Sequence, residues 1–192
     1  VFAKTAPVKK RNSAMLKIQH NPNSVELWWH AHRVFSHSTS FPAIDVGEGI
    51  GRYKERHGSF RIRNFWEKKP RPLKEFEIIE ASDDRVILSF ENKLTLVAAV
   101  RDNRLEFRFS VSDSHLNRMT LRLPANADEH IYGCGEQYTH LNLKGRKVPL
   151  WCEEQGIGRG FDLISLLSEI FYGAAGRWYT TYFPQPTFVS SA

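Results

Sequence analysis

No apolar run in the sequence approaches the roughly 18 residues that a membrane-spanning helix needs, which excludes a helical span. Only two cysteines are present, Cys134 and Cys152, in neither a C-x-x-C pair nor a Cys/His zinc spacing. A disulfide scaffold and the common zinc modules are thereby excluded, while a single bridge between the two thiols stays open. Gly47-Glu48-Gly49-Ile50-Gly51 is glycine-rich but lacks the Lys-Ser/Thr of a phosphate-binding loop, and it reads as a turn or bulge. There is no Gly-x-Ser-x-Gly elbow and no assignable Ser/His/Asp order. His30 and His32 lie two apart in a strand-like run and would share a face, but no third ligand accompanies them; a half-exposed strand face is the reading, with no metal. The first residues show no apolar segment with a cleavage site, so no signal peptide is visible and the compartment is left open.

What is present is ordinary globular composition. Hydrophobic residues make up 41% and charged residues 25%, which excludes a disordered chain. The 192 residues suit one domain, possibly with an incomplete partner. At that size about 70% of the unfolded chain's surface is buried, so no staple is needed. The net charge of +6 is spread thinly. Its densest parts are Lys4, Lys9, Lys10 and Arg11, then Lys68, Lys69, Arg71 and Lys74, broken by Pro70 and Pro72. No nucleic-acid motif accompanies them, and a solvated face is expected, with no nucleic-acid partner. Aromatics reach 12%, which suits strands and sugar-binding surfaces alike.

Along the chain, residues 1–14 are polar, basic and aperiodic, and are read as a loose leader. Residues 15–192 carry repeated strand signals. Val25 to Phe35 is rich in aromatic and β-branched residues and follows a turn at Asn21-Pro22-Asn23-Ser24. Phe60 to Phe65 partly alternates. Phe76 to Ile79 and Arg85 to Phe90 flank a hairpin turn at residues 81–84, and Lys93 to Val100 and Leu105 to Val111 flank another at residues 101–104. In the last strand Leu105, Phe107, Phe109 and Val111 share one face. Short strands with regular turn chemistry predict an all-β, antiparallel sandwich. One short helix is predicted near Asp162 to Phe171: Leu163, Leu166, Leu167 and Ile170 repeat at helical spacing, Asp162 is placed to cap the start and Gly173 to end it.

The chemistry-bearing stretch is Ile131 to Gly160, where glycines alternate with Glu136, Gln137, Glu153, Glu154 and Gln155. Glycine permits tight turns, and acidic and amide side chains suit hydroxyl groups, which need donors and acceptors. Trp151 beside them can pack on a sugar face. From the residues alone a ligand-facing loop pair and a structural glycine-rich turn both remain open.

Tyr132-Gly133-Cys134-Gly135-Glu136-Gln137 resembles the Y-G-x-G-E motif of glycoside hydrolase family 31. Val148 to Arg159 (VPLWCEEQGIGR) resembles the following loop of its sulfoquinovosidase-like branch, and Trp178 to Ser191 (WYTTYFPQPTFVSS) the strand pair after that. No match is visible between Phe161 and Gly176. The resemblance implies the family's galactose-mutarotase-like amino-terminal β-sandwich, here incomplete at its C-terminal end. It also implies a parent retaining α-glycosidase, whose barrel carries two aspartates about 5–5.5 Å apart. Those aspartates, and the branch's sulfonate-recognising residues, belong to barrel segments later than this stretch. The resemblance thus implies a non-catalytic amino-terminal domain without its barrel, inactive alone, that meets a carbohydrate substrate through the parent enzyme. No cofactor is implied. By the same resemblance the loop Trp151 to Gly158 helps line a sugar subsite, which makes Glu153, Glu154 and Gln155 the candidate substrate-binding residues. Bracing of a domain interface is the competing role, and Glu136 and Gln137 are expected to hold the turn. The alternative function is a stand-alone carbohydrate-binding β-sandwich module.

Overall fold

The computed structural model describes residues 16–56, 59–66, 69–136, 139–159 and 161–192; for residues 56, 59–62 and 64–66 the backbone alone is described. The leader expected at residues 1–14 and the position of Gln137 lie outside these residues. The described elements are, in order, β1 (Leu16–Asn21), β2 (Ser24–Trp29), β3 (His32–Ser38), β4 (Ile44–Gly47), β5 (Gly49–Arg56), β6 (Ser59–Trp66), β7 (Arg71–Pro72), β8 (Phe76–Ala81), β9 (Arg85–Phe90), β10 (Leu94–Arg101), β11 (Arg104–Val111), β12 (Arg118–Leu121), β13 (Ile131–Gly135), α1 (Asp162–Tyr172) and β14 (Pro184–Ser190). They form two compact units. Residues up to Gly49 together with Trp66–Pro124 make the first, and Ile50–Phe65 with Ala125–Ala192 the second.

The first unit contains three antiparallel sheets, ordered β1-β2-β3, β11-β10-β9-β8 and β12-β4-β7. Local turn chemistry sets their register. The Asn23 N–H donates to Asn21 Oδ1 at 2.8 Å, which closes the β1–β2 turn with Asn21 opposite Ser24. Between β10 and β11, Asp102 and Asn103 adopt φ of 48° and 60°, the mirror-image turn whose twist matches that of the strands. Alternation then points one face of each strand inward. Leu16, Val25, Leu27, Phe35, Ile44, Val46, Leu73, Val86, Leu88, Phe90, Leu94, Leu96 and Ala98 form one buried cluster drawn from all three sheets. Phe35 of β3 lies edge-on to Phe90 of β9 at 6.3 Å and to Phe107 of β11 at 6.4 Å, so the first two sheets meet face to face.

The single strand expected over Val25 to Phe35 is two strands. His30 takes φ 55° in a tight turn, β2 ends at Trp29, and β3 starts with His32 paired to Trp29. His30 and His32 therefore do not share a strand face. No grouping of metal-ligating side chains occurs among the described residues, and no described helix is long and apolar enough to cross a membrane. The glycine-rich segment is the break at Glu48 between β4 and β5.

Among the described residues, two polar side chains of the first unit are buried, Asp45, which pairs with Arg122, and His37. His37 is buried beside Phe90 at 4.9 Å and Phe76 at 5.6 Å. Its Nδ1 accepts the Ala43 N–H at 3.2 Å, and its Nε2 lies 3.0 Å from the Lys74 carbonyl, to which it donates. Both ring nitrogens are thus satisfied by the neutral Nε2–H tautomer. Burial pushes the His37 pKa down, with the Lys74 carbonyl pulling the other way. The unfolded chain then binds a proton near pH 6.5 that the folded chain takes up only at lower pH. Stability is therefore expected to fall as pH drops from about 6.5 toward the folded value and to level off below it. His37→Phe should cost about 1–3 kcal/mol at pH 7, because the Ala43 N–H and Lys74 carbonyl lose their partner. It should also remove part of the acid slope. Urea denaturation of both proteins at pH 7, 6 and 5 checks the pair, and parallel slopes would exclude His37 as their source.

Candidate functional site

The second unit is built on backbone contact rather than on an apolar core. Among the described residues Leu143 is its one buried large hydrophobic side chain. Its spine is the antiparallel pair β13 and β14, with Tyr132 opposite Val189 and Gly135 opposite Pro184. A bulge interrupts the pairing at Cys134, whose φ is 61°. A Cβ on Gly135 would stand 2.1 Å from the Phe183 carbonyl oxygen, so the second glycine of the Y-G-x-G-E motif is needed for close approach of two backbones. The Glu136 N–H donates to that same carbonyl at 3.1 Å. No disulfide joins the cysteines: Cys134 is half-buried, which pushes its thiol pKa up, and Cys152 is exposed with Sγ 3.0 Å from the Tyr182 carbonyl.

The loop from Trp151 to Gly158 lies along residues 174–182. The Glu153 N–H donates to the Thr181 carbonyl at 3.0 Å, the Ile157 N–H to Ala174 at 2.9 Å, and the Gly176 N–H to Ile157 at 2.8 Å. Ile157 and Ala175 form a parallel bridge there. The two segments touch so closely that neither Gly156 nor Gly176 has room for a side chain. A Cβ on Gly176 would sit 2.2 Å from the Gln155 carbonyl oxygen, and one on Gly156 would sit 2.4 Å from the Gly176 nitrogen. Buried Thr180 adds its hydroxyl, 2.9 Å from the Gln155 carbonyl.

Each candidate side chain is held by a neighbour. Trp151 donates its indole N–H to Glu153 Oε2 at 3.1 Å. The Tyr182 hydroxyl donates to Glu154 Oε2 at 2.5 Å, and that bond is the main cause of a Tyr182 pKa above the usual phenol value. Arg159 donates to Gln155 Oε1 at 3.2 Å and to the Thr180 carbonyl at 2.9 Å. Aromatic contacts continue the surface: Trp151 with Tyr179 at 6.5 Å, and Tyr179 with Trp178 at 5.4 Å. Arg146 lies over the Trp178 ring at 5.6 Å. The structure brings Glu153, Glu154 and Gln155 together with Tyr182, Arg159 and Thr180, which sequence reasoning missed as partners. Such a row of oriented carboxylate, amide and phenol groups can bind hydroxyls, each as donor or acceptor.

The helix is as expected in place and in its end. It runs Asp162–Tyr172 and stops at Gly173, which is left-handed with φ 64°. Its start differs. Phe161 occupies the cap position and no side chain caps it; Asp162 lies in the first turn, where its charge suits the helix dipole.

With this geometry in hand, the relatives place the chain. Residues 46–158 match the glycosyl hydrolase 31 N-terminal galactose mutarotase-like domain, and the chain belongs to that family. Its relatives are more particular. The sulfoquinovosidase of Escherichia coli (strain K12) is 32% identical over 89% of this chain, and that of Agrobacterium fabrum is 32% identical over 82%. A solved GH31 family sulfoquinovosidase from E. rectale, in complex with the aza-sugar inhibitor IFGSQ, is similar over 91% of this chain with 34% identity and a TM-score of 0.82. The chain spans about a quarter of these proteins: 26% of the first, 23% of the second and 26% of the third.

Gly176→Ala is expected to open the contact with Gln155 and Gly156. Exchange at the Ile157 and Gly176 amides should accelerate at least about tenfold, the scale of losing one hydrogen-bonded contact. Amides of β9 and β10, in the other unit, should keep their rates. Hydrogen exchange by mass spectrometry reads both; unchanged rates at Ile157 would show that the contact does not hold the loop.

Proposed function

We propose that this chain is the amino-terminal, non-catalytic part of a retaining α-glycosidase of the sulfoquinovosidase kind. In this reading residues 15–192 form one β-rich domain that supports the catalytic barrel, and the loop Trp151 to Gly158 contributes to the sugar subsite. The carrying observation is the match to about a quarter of each of two proteins named sulfoquinovosidase, in which the matched stretch includes this loop. Cleavage with retention is the work of two carboxyl groups about 5–5.5 Å apart, in this reading both on the barrel.

The loop's part is to orient the sugar. Arg159 at Gln155 Oε1 fixes the amide so that its NH2 is the group turned to a ligand hydroxyl. Glu154 accepts from Tyr182 through Oε2 and keeps Oε1 as an acceptor for a second hydroxyl. In a closed site each such bond is worth about 1–3 kcal/mol when its loss strands a desolvated group. A bond that tightens in the transition state shows in kcat as well as in KM.

In the complete enzyme, Gln155→Ala and Glu154→Ala are each expected to lower kcat/KM by roughly tenfold to a hundredfold, with the Tm nearly unchanged. If these residues instead brace an interface, Tm falls and kcat/KM of the folded fraction stays. Kinetics on sulfoquinovosides and thermal melts of the same purified variants decide between the two patterns.

A further inference from the structure

Arg159 ties the loop that carries the candidate sugar contacts to the segment beneath it. Its stem passes Gly176, where a Cβ would stand 2.9 Å from Arg159 Cγ, so glycine at 176 leaves the stem its path. The guanidinium then reaches two acceptors. Nη2 donates to the Thr180 carbonyl at 2.9 Å, and Nη1 donates to Gln155 Oε1 at 3.2 Å. Thr180 is buried and is itself fixed within a turn. Its N–H donates to the Arg177 carbonyl at 3.1 Å, and its hydroxyl accepts the Arg177 N–H at 3.2 Å. The same hydroxyl lies 2.9 Å from the Gln155 carbonyl. Gln155 is thus held at its backbone by Thr180 and at its side chain by Arg159, and both holds end on the turn 177–180.

The chemistry of the guanidinium decides what that hold does. It is planar, its N–H groups form a rigid fork, and it has no acceptor. With Nη2 set on a buried carbonyl, the place of Nη1 follows. Only an oxygen can face Nη1, so the Gln155 amide has one orientation; flipped, its NH2 would oppose another donor. Position 155 therefore acts as a donor, and the sugar oxygen it meets acts as an acceptor. Because the amide is oriented before a ligand arrives, little side-chain freedom is lost on binding. We propose that Arg159 is a positioning residue of the sugar subsite, which acts through Gln155 by holding the amide NH2 toward an acceptor oxygen of the sugar. This rests on the reading of Gln155 as a sugar contact, and it adds the residue that makes the contact a donating one.

In the complete enzyme, Arg159→Met keeps an unbranched stem and removes the fork. Among folded molecules kcat/KM on sulfoquinovosides should fall about tenfold, the scale of one lost hydrogen bond. In a Gln155→Ala background the same change should cost less than about twofold, because the group that Arg159 positions is gone. Gln155→Glu separates orientation from bracing. The new carboxylate still accepts from Arg159, now in a charge-assisted bond, so Tm should be held or raised. It turns an acceptor to the sugar where a donor is needed, and kcat/KM should fall at least about tenfold. Arg159 would be a brace only, and the proposal overturned, if Arg159→Met cost the same factor with and without Gln155 or left kcat/KM unchanged. Wild-type kcat/KM in Gln155→Glu would overturn it as well, and that measurement stands even where Arg159→Met fails to fold. Wild-type kcat/KM in Gln155→Ala would instead remove Gln155 from the subsite, and the proposal with it.

Discussion

The candidate site depends on one constraint: two backbones approach too closely for any side chain between them. At Gly156 and Gly176 the loop bearing Glu153, Glu154 and Gln155 lies directly on the segment that leads into Thr180, Thr181 and Tyr182. That contact lets the Thr180 hydroxyl reach the Gln155 carbonyl and brings the Tyr182 hydroxyl to Glu154. The same device recurs at Gly135 against Phe183, where β13 meets the start of β14. Glycine here creates proximity. The polar side chains then inherit fixed positions without an apolar core beneath them.

The two units solve the burial problem differently. In the first, twelve large or medium apolar side chains together with Ala43 and Ala98 shield one another from water, and neutral His37 sits beside them with both ring nitrogens satisfied. Burial of such side chains is the dominant stabilising term in folding. In the second, Ser168, Thr180, Thr181, Gly173 and Gly176 are buried along with Leu143, while leucines, isoleucines and aromatics of α1 lie outside.

Much of the fold was legible because alternation and turn chemistry are local. The β10–β11 hairpin followed from Leu105, Phe107 and Phe109 on one face and from Asp102-Asn103 between the strands. The helix followed from the spacing of Leu163 to Ile170. The break at His30 was not legible, since aromatic and β-branched residues run on both sides of it and only its positive φ marks the turn. Nor was the inverted seating of α1: periodicity reports that a helix has two faces, not which one the neighbours take. The loop residues were legible as chemistry through the acidic and amide types between glycines. Their partners were not, because Tyr182 lies 28 residues from Glu154 and only the folded backbone brings them together.

The claim at the centre is that the loop from Trp151 to Gly158 sits at a bound sugar. Hydrogen exchange on the complete enzyme, with and without a saturating aza-sugar inhibitor, tests it most directly. Slower exchange across residues 152–158 on binding is the expected result. Exchange there that stays the same while other segments become protected would contradict it.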